Sequence, residues 1–165
     1  MNCIKCDERA ERFMRMALEQ ARAALAAGEF PVGAVMARGD EVIARAYNLR
    51  EATSDPTAHA EVLALRAAAA QAGDWRLSDC ELFVTLEPCP MCAGAIINAR
   101  VRRVVYGASD PKAGSVGSVT NLFDLPYNHR PEVTRGVLEE ECRGVLTEFF
   151  RMLRQNPVIK TWKKA

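Results

Sequence analysis

The chain has 165 residues, of which 49% are hydrophobic and 26% are charged. This composition excludes a disordered or low-complexity protein, and it predicts a single domain over 1–165 with flexible ends at 1–7 and 157–165. The formal net charge of +1 excludes a strongly basic protein, so a nucleic-acid partner has to be sought in the local distribution of charge.

The elements follow from hydrophobic periodicity and from the turn residues between them. In chain order we predict a helix at 8–27, strands at 32–38 and 41–47, a loop at 48–57, a helix at 58–72, a strand at 81–86, a helix at about 88–99, a strand at 101–106, a loop at 107–131, a strand at 132–137 and a last helix at 139–155. Thr57 is the predicted N-cap of the second helix. Helices that alternate with strands predict an α/β sandwich around one central sheet, in which the direction of the last strand stays open.

The N-terminus and the cysteines indicate a cytoplasmic protein. No run approaches the roughly 18 apolar residues of a membrane span, and residues 1–7 lack the apolar stretch of a signal peptide. In a reducing compartment, the six cysteines are better interpreted as thiols or metal ligands than as disulfides. Cys3 and Cys6 are interpreted as exposed thiols, with a second metal site as the alternative, while Cys80 and Cys142 are predicted core residues.

Candidate metal ligands gather at the starts of two predicted helices. His59 opens the second helix, and Cys89 and Cys92 lie three residues apart on the first turn of the third. Residues at this spacing face the same way, and a helix N-terminus favours a thiolate. One histidine and two cysteines suit a single zinc ion with one position left for water, which is the arrangement of a catalytic site.

Glu61 is the candidate catalytic residue beside these ligands. It follows His59 by two residues and therefore points about 200° around a regular helix from it. Such a carboxylate is poorly placed as a ligand, but it can move the proton of a water that zinc has brought to a pKa of about 7. Together, His-x-Glu and Pro-Cys-x-x-Cys form the signature of zinc-dependent base deaminases.

A closed structural zinc knuckle is the alternative to this catalytic site. It would need a fourth ligand from Cys3, Cys6, Cys80, Cys142 or His129, and it would leave Glu61 without a role. His129 itself is interpreted as structural.

Three segments carry a resemblance to one family, and they span most of the chain. They are Phe30-Pro31-Val32-Gly33-Ala34-Val35, Asp55-Pro56-Thr57-Ala58-His59-Ala60-Glu61 and Thr85-Leu86-Glu87-Pro88-Cys89-Pro90-Met91-Cys92-Ala93-Gly94-Ala95. In these segments the chain resembles the bacterial tRNA-specific adenosine deaminases (TadA). The resemblance implies a cytidine deaminase-like three-layer sandwich, with a five-stranded mixed sheet flanked by helices, and a homodimer.

The same resemblance implies an activity and the residues that perform it. The activity is hydrolysis of the wobble adenosine of a tRNA-Arg anticodon (ACG) to inosine. His59, Cys89 and Cys92 match the zinc ligands, and Glu61 matches the proton shuttle. Asn48 matches a contact to the flipped base, Pro31 and Val32 match the pocket wall, and Asp110 matches a loop residue near the anticodon backbone.

The C-terminal region supports an RNA substrate on physical grounds. From Arg143 to Ala165 there are six basic residues against one acidic residue, Glu148. Phe150 and Arg151 are the candidate contacts, because basic side chains beside aromatic rings suit the phosphates and bases of a single-stranded loop. Phe149 lies on the apolar stripe of the helix and is expected in the core.

Two other functions remain open from the residues alone. A deaminase of a free base or nucleoside would share Glu61 and the zinc ligands, but it would not need a basic, aromatic C-terminus. A zinc-stabilised RNA-binding protein without catalysis would need no Glu61.

Overall fold

The computed structural model describes the backbone of residues 4–156 and the side chains of residues 8–156. The helices are α1 (Ile4–Ala26), α2 (Arg50–Thr53), α3 (Ala60–Ala72), α4 (Pro90–Asn98) and α5 (Glu139–Gln155), and the strands are β1 (Gly33–Arg38), β2 (Glu41–Tyr47), β3 (Cys80–Leu86), β4 (Arg103–Ala108) and β5 (Glu132–Thr134). The expectations for Cys3, for the Cys6 side chain and for flexible ends fall outside the described residues, except that the backbone of 4–7 belongs to α1. Within 4–156, no helix is both long and apolar enough to span a bilayer.

The strands form one mixed sheet in the order β2-β1-β3-β4-β5. β1 is antiparallel to both β2 and β3, whereas β4 is parallel to β3 and β5 is parallel to β4. The predicted five-stranded mixed sheet is confirmed, and the open direction of the last strand is settled as parallel. Because β3 and β4 are parallel, the loops that follow them emerge at the same edge of the sheet.

Helices cover both faces of this sheet, as the predicted three-layer sandwich requires. Neighbouring strand residues point to opposite faces, so Phe83 packs in the core under α1 and α5, whereas Val84 packs in the core under α3 and α4. At Gly33 a Cβ would lie 2.0 Å from the carbonyl oxygen of Ala17, so only glycine allows α1 to lie this close to β1. Both core layers therefore hold the strand ends in fixed positions.

The segment before α3 differs from the prediction in two ways. Residues 50–53 form the short helix α2 instead of a loop, because the carboxylate of Glu29 accepts hydrogen bonds from two backbone N–H groups of its first turn. Thr57 is not an N-cap: its backbone N–H and its hydroxyl both donate to Asp55 Oδ1, and His59 takes the cap position of α3 instead. Glu29 and Glu51 are 22 residues apart in the chain, so no local sequence pattern indicates this contact or the helix that it stabilises.

Candidate active site

The three candidate ligands converge at the starts of α3 and α4. His59 is the N-cap residue of α3, Cys89 is the N-cap residue of α4, and Cys92 lies on the first turn of α4. His59 Nδ1 lies 3.6 Å from Cys89 Sγ and 3.5 Å from Cys92 Sγ. The ligand atoms all lie within 4.8 Å of one another. One imidazole nitrogen and two thiols at these distances fit a single zinc ion.

The two thiols differ in their affinity for a proton. A hydrogen bond from the Cys92 thiol is the main cause that lowers the pKa of Cys89 to about 4, and His59 adds to it. The same contact, together with burial, raises the pKa of Cys92. A cation bound between the two sulfurs would favour the thiolate form of both and displace a remaining thiol proton.

Glu61 lies in the first turn of α3, and its side chain is buried beside this cluster. The residue is 4% exposed, and burial raises the pKa of its carboxyl to about 7. It belongs to the wall of the same cavity as His59 and Cys89. A carboxyl group in this position can both accept and donate a proton near neutral pH.

The cavity next to the cluster has a volume of about 210 Å³. This is below the roughly 300–1,000 Å³ of pockets that enclose whole drug-sized ligands, so the cavity suits one small group. Its wall combines apolar and polar side chains from several elements: Phe30, Val32, Asn48, Arg50, His59, Ala60, Glu61, Leu86, Glu87, Cys89, Asp110 and Ala113. Three of the predicted substrate contacts, Val32, Asn48 and Asp110, lie in this wall.

The remaining predicted contacts lie outside the cavity wall. Pro31 is buried in the middle of a tight turn, in which Val32 N–H donates to the carbonyl of Phe30 at 2.9 Å. The turn directs the residues on either side of Pro31 to the cavity. Phe150 is 47% exposed, and Arg151 is exposed with its guanidinium 3.3 Å from Gln155 Oε1.

An aromatic cluster connects α5 to the cavity. Phe30, which lines the cavity, meets Phe149 edge-on with the ring centroids 5.4 Å apart, and it lies 6.2 Å from the Phe150 ring. Phe149 is buried, as predicted from its place on the apolar stripe. The exposed ring of Phe150 thereby lies beside a residue of the cavity wall. The basic residues of the tail beyond 156 lie outside the described residues.

Glu87 is a site residue that the sequence did not single out. It is 2% exposed, lines the cavity and accepts hydrogen bonds from the backbone N–H groups of Asp110, Val116 and Ser118 at 3.0–3.1 Å, and also from the Ser118 hydroxyl. These bonds outweigh the effect of burial and lower the pKa of the Glu87 carboxyl. Glu87 thus holds the 109–118 loop, which carries Asp110, against the end of β3.

Two further wall residues, Phe30 and Arg50, were not predicted from the sequence. Phe30 directly follows a buried acid, Glu29, and only the fold shows that its ring turns toward the ligands. Arg50 lies in α2, the helix that local patterns missed. The one sequence signal for Glu87 was its position two residues before Cys89.

The side chains proposed for a closed zinc knuckle lie elsewhere, as far as residues 8–156 are concerned. Cys80 and Cys142 are buried core residues, which confirms their predicted role. His129 Nε2 lies 2.7 Å from the carbonyl oxygen of Val101, in keeping with its structural interpretation. Within the described residues, the cluster of candidate ligands consists of His59, Cys89 and Cys92.

Comparisons with known proteins identify the family of the chain. Residues 8–154 match the family model of the MafB19-like deaminases. The chain is 51% identical over 146 residues to a tRNA-specific adenosine deaminase of Bacillus subtilis (strain 168), and the alignment covers 88% of this chain and 91% of that relative.

Solved structures give the same result and add a second activity. A structure from a study of A-to-I editing by tRNA:A34 deaminases superimposes with a TM-score of 0.80 and 46% identity, over 82% of this chain and 99% of the other. A guanine deaminase from Nitrosomonas europaea gives a TM-score of 0.70 and 30% identity, over 84% and 83% of the two chains. The resemblance in the three motifs is thereby confirmed: the chain belongs to the tRNA-specific adenosine deaminases, within the MafB19-like deaminase family.

Proposed function

We propose that this protein hydrolyses adenosine to inosine at the wobble position of the tRNA-Arg (ACG) anticodon, with one zinc ion per subunit. We further propose that it acts in the cytoplasm as a homodimer. The observation that carries the proposal is the position of Glu61. This buried carboxylate lies beside the three candidate zinc ligands, in the wall of a cavity suited to one small group.

The chemistry divides between the metal and this chain's own residues. When bound by His59, Cys89 and Cys92, zinc supplies a Lewis acid that makes water a nucleophile near neutral pH. Glu61 takes a proton from the attacking water and delivers it to the ring nitrogen next to C6 of adenine. The water oxygen bonds to C6, and Glu61 then carries the second proton of that water from the new C6 hydroxyl to the amino group. The C6–N bond breaks, and ammonia and inosine are the products.

The cavity walls are proposed to bind the flipped base. Asn48 carries both a donor and an acceptor, as the recognition of a base edge requires, and Val32 offers an apolar surface for the ring. Asp110 is proposed to face the anticodon backbone. Phe150 and Arg151 lie outside the cavity and are proposed to contact neighbouring nucleotides, because an unpaired loop can stack its bases on aromatic rings.

A substrate panel tests which base is deaminated and whether that base has to be part of an RNA. The zinc-loaded protein is incubated with tRNA-Arg bearing ACG, with its anticodon stem-loop, and with adenosine, cytidine and guanine. We expect inosine in the two RNAs and no turnover of the small molecules. Turnover of guanine or cytidine with unmodified RNA would contradict the proposal.

Deamination of a free purine base is the second candidate. The similarity to a guanine deaminase favours it, because that enzyme shares the fold at 30% identity. The identity to a tRNA-specific adenosine deaminase is higher, at 51%, and the basic residues of the C-terminal region suit the phosphates of a polymer substrate, which a free base lacks. The guanine sample of the panel distinguishes the two candidates.

A further inference from the structure

Glu29 is a buried carboxylate that the proposed chemistry does not use. It is 2% exposed and follows α1, and its side chain lies behind the cavity wall rather than in it. A carboxylate this deeply buried is costly unless it is hydrogen-bonded. Its partners therefore indicate what it does.

Among the described residues, the hydrogen-bond donors to the Glu29 carboxylate all belong to segment 48–52, which forms part of the cavity wall. Oε2 accepts a hydrogen bond from Asn48 Nδ2 at 3.1 Å and another from the backbone N–H of Glu51 at 3.2 Å, while Oε1 accepts one from the backbone N–H of Ala52 at 2.7 Å. One side chain thus holds the amide of Asn48 and the first turn of α2. That turn also carries Arg50, another residue of the cavity wall.

This arrangement determines the orientation of the Asn48 amide. An ionised carboxylate only accepts hydrogen bonds, so the NH₂ group of Asn48 has to face Glu29, and the opposite orientation would place two oxygens against each other. Asn48 is itself 4% exposed and its backbone N–H donates to the carbonyl of Val32 at 3.2 Å. The amide therefore meets a ligand in the cavity with a fixed pattern of donor and acceptor.

We propose that Glu29 is a positioning residue for substrate recognition, because it fixes the amide orientation of Asn48 and the place of α2 in the cavity wall. The inference rests on the proposed function in that Asn48 contacts the base. Glu29 does not touch the substrate and acts through Asn48 and α2. Both of its oxygens are required, because together they serve three donors.

Glu29→Gln is the informative variant. The amide nitrogen of glutamine cannot accept a hydrogen bond, so the variant loses either the bonds of Oε2 or the bond of Oε1. With the anticodon stem-loop as substrate, we expect KM to rise about tenfold, the effect of one lost hydrogen bond, while kcat changes less than about threefold. Glu19→Gln is the matched control, because Glu19 is an exposed acid of α1 and its substitution should change neither constant.

A double-mutant cycle separates positioning from general damage. If Glu29 acts partly through Asn48, Glu29→Gln should raise KM by a smaller factor in the Asn48→Ala background than in the unchanged protein, and the remaining effect belongs to α2. Multiplied effects, or an unchanged KM in Glu29→Gln, would overturn the inference. If Glu29→Gln does not fold, Glu29→Asp replaces it: aspartate keeps both oxygens but is one methylene shorter, and a KM equal to that of the unchanged protein would overturn the inference as well.

A readout without substrate keeps this inference distinct from the proposed function. Hydrogen exchange at the backbone amides of Glu51 and Ala52 should accelerate in Glu29→Gln and stay slow in Asn48→Ala. Unchanged exchange in Glu29→Gln would show that Glu29 does not hold the wall. If the unchanged protein forms no inosine, the proposed function fails, while the exchange experiment still decides whether Glu29 positions α2.

Discussion

The two ends of the central sheet bury their carboxylates in different ways. At the end next to the cavity, Glu29 accepts hydrogen bonds from backbone N–H groups of α2, and Glu87 accepts them from the 109–118 loop. At the opposite end, Glu81 of β3 is buried among the guanidinium groups of Arg9, Arg102 and Arg103. Among the described residues, neither Glu29 nor Glu87 pairs with a lysine or arginine.

This difference separates carboxylates that position the cavity wall from a carboxylate that stabilises the fold. Backbone N–H groups fix the course of a loop, and they add no mobile positive charge beside the candidate zinc ligands. Arginines satisfy a buried charge from the ends of long side chains, and they fasten α1 to the starts of β3 and β4. We therefore expect substitutions at the cavity end to change activity and substitutions at the opposite end to change stability.

Among the substitutions that compare the two ends, the largest effect is expected where the 109–118 loop packs on Glu87. A Cβ at Gly114 would lie 2.3 Å from Glu87 Oε2 and 2.5 Å from the carbonyl oxygen of Asp110. Gly114→Ala should therefore displace the loop and lower kcat/KM by about 10- to 100-fold, because small shifts in a site are costly. The overpacking should also lower the free energy of unfolding by about 1–3 kcal/mol.

Gly144→Ala is the control for this variant. Gly144 lies in α5 and a Cβ there meets no atom within 4 Å. This substitution should leave activity unchanged and stabilise the helix by up to about 1 kcal/mol. Equal kcat/KM in the two variants would refute the role of the loop.

Glu81→Gln should affect stability and spare activity. Loss of a fully buried ion pair costs about 3–5 kcal/mol and loss of an exposed pair less than about 1 kcal/mol. Because the arginines around Glu81 remain 22–49% exposed, we expect a loss of about 2 kcal/mol in urea unfolding. If Glu81→Gln changed the KM for the stem-loop and left the free energy of unfolding unchanged, the distinction between the two ends would be wrong.

The smallest effect is expected from Glu87, whose carboxyl group should make the free energy of unfolding depend on pH. Because its pKa is lower in the folded protein than the ordinary value of 4.5, the ionised carboxylate stabilises the fold fully above pH 4.5. This contribution disappears as the pH falls through the lower folded-state pKa. The free energies of unfolding of the unchanged protein and Glu87→Gln should differ by about 1 kcal/mol at pH 7, and the difference should shrink below pH 4.5. A difference that stays constant from pH 7 to pH 3 would contradict this explanation.

The candidate zinc ligands were predictable because their pattern is local. Cys89 and Cys92 are three residues apart on one helical turn, and His59 and Glu61 are two apart, so short motifs carry the geometry. The sheet was predictable for a similar reason, since short runs of β-forming residues between turn residues mark the strands. The boundaries of β4 and β5 shifted by a few residues because strand ends depend on pairing with a neighbour.

The supporting residues were not predictable from local patterns. Glu29 and Glu87 act on segments that lie 19–31 residues further along the chain. Glu87 has only its position two residues before Cys89 to distinguish it from a surface acid, and Glu29 has no such signal. The bonds of Glu29 to the first turn of α2 are likewise not local. A sequence motif thus identifies the groups that react, whereas the groups that hold the cavity wall become visible only in the fold.

Glu61 is proposed to move protons beside a zinc ion that it does not itself coordinate. The direct test measures zinc content and inosine formation on the same sample of Glu61→Ala. We predict one zinc ion per subunit, as in the unchanged protein, and a rate of inosine formation on the anticodon stem-loop lower by about 10³-fold. A near-normal rate with zinc bound would contradict the account, and so would loss of the zinc together with the reaction.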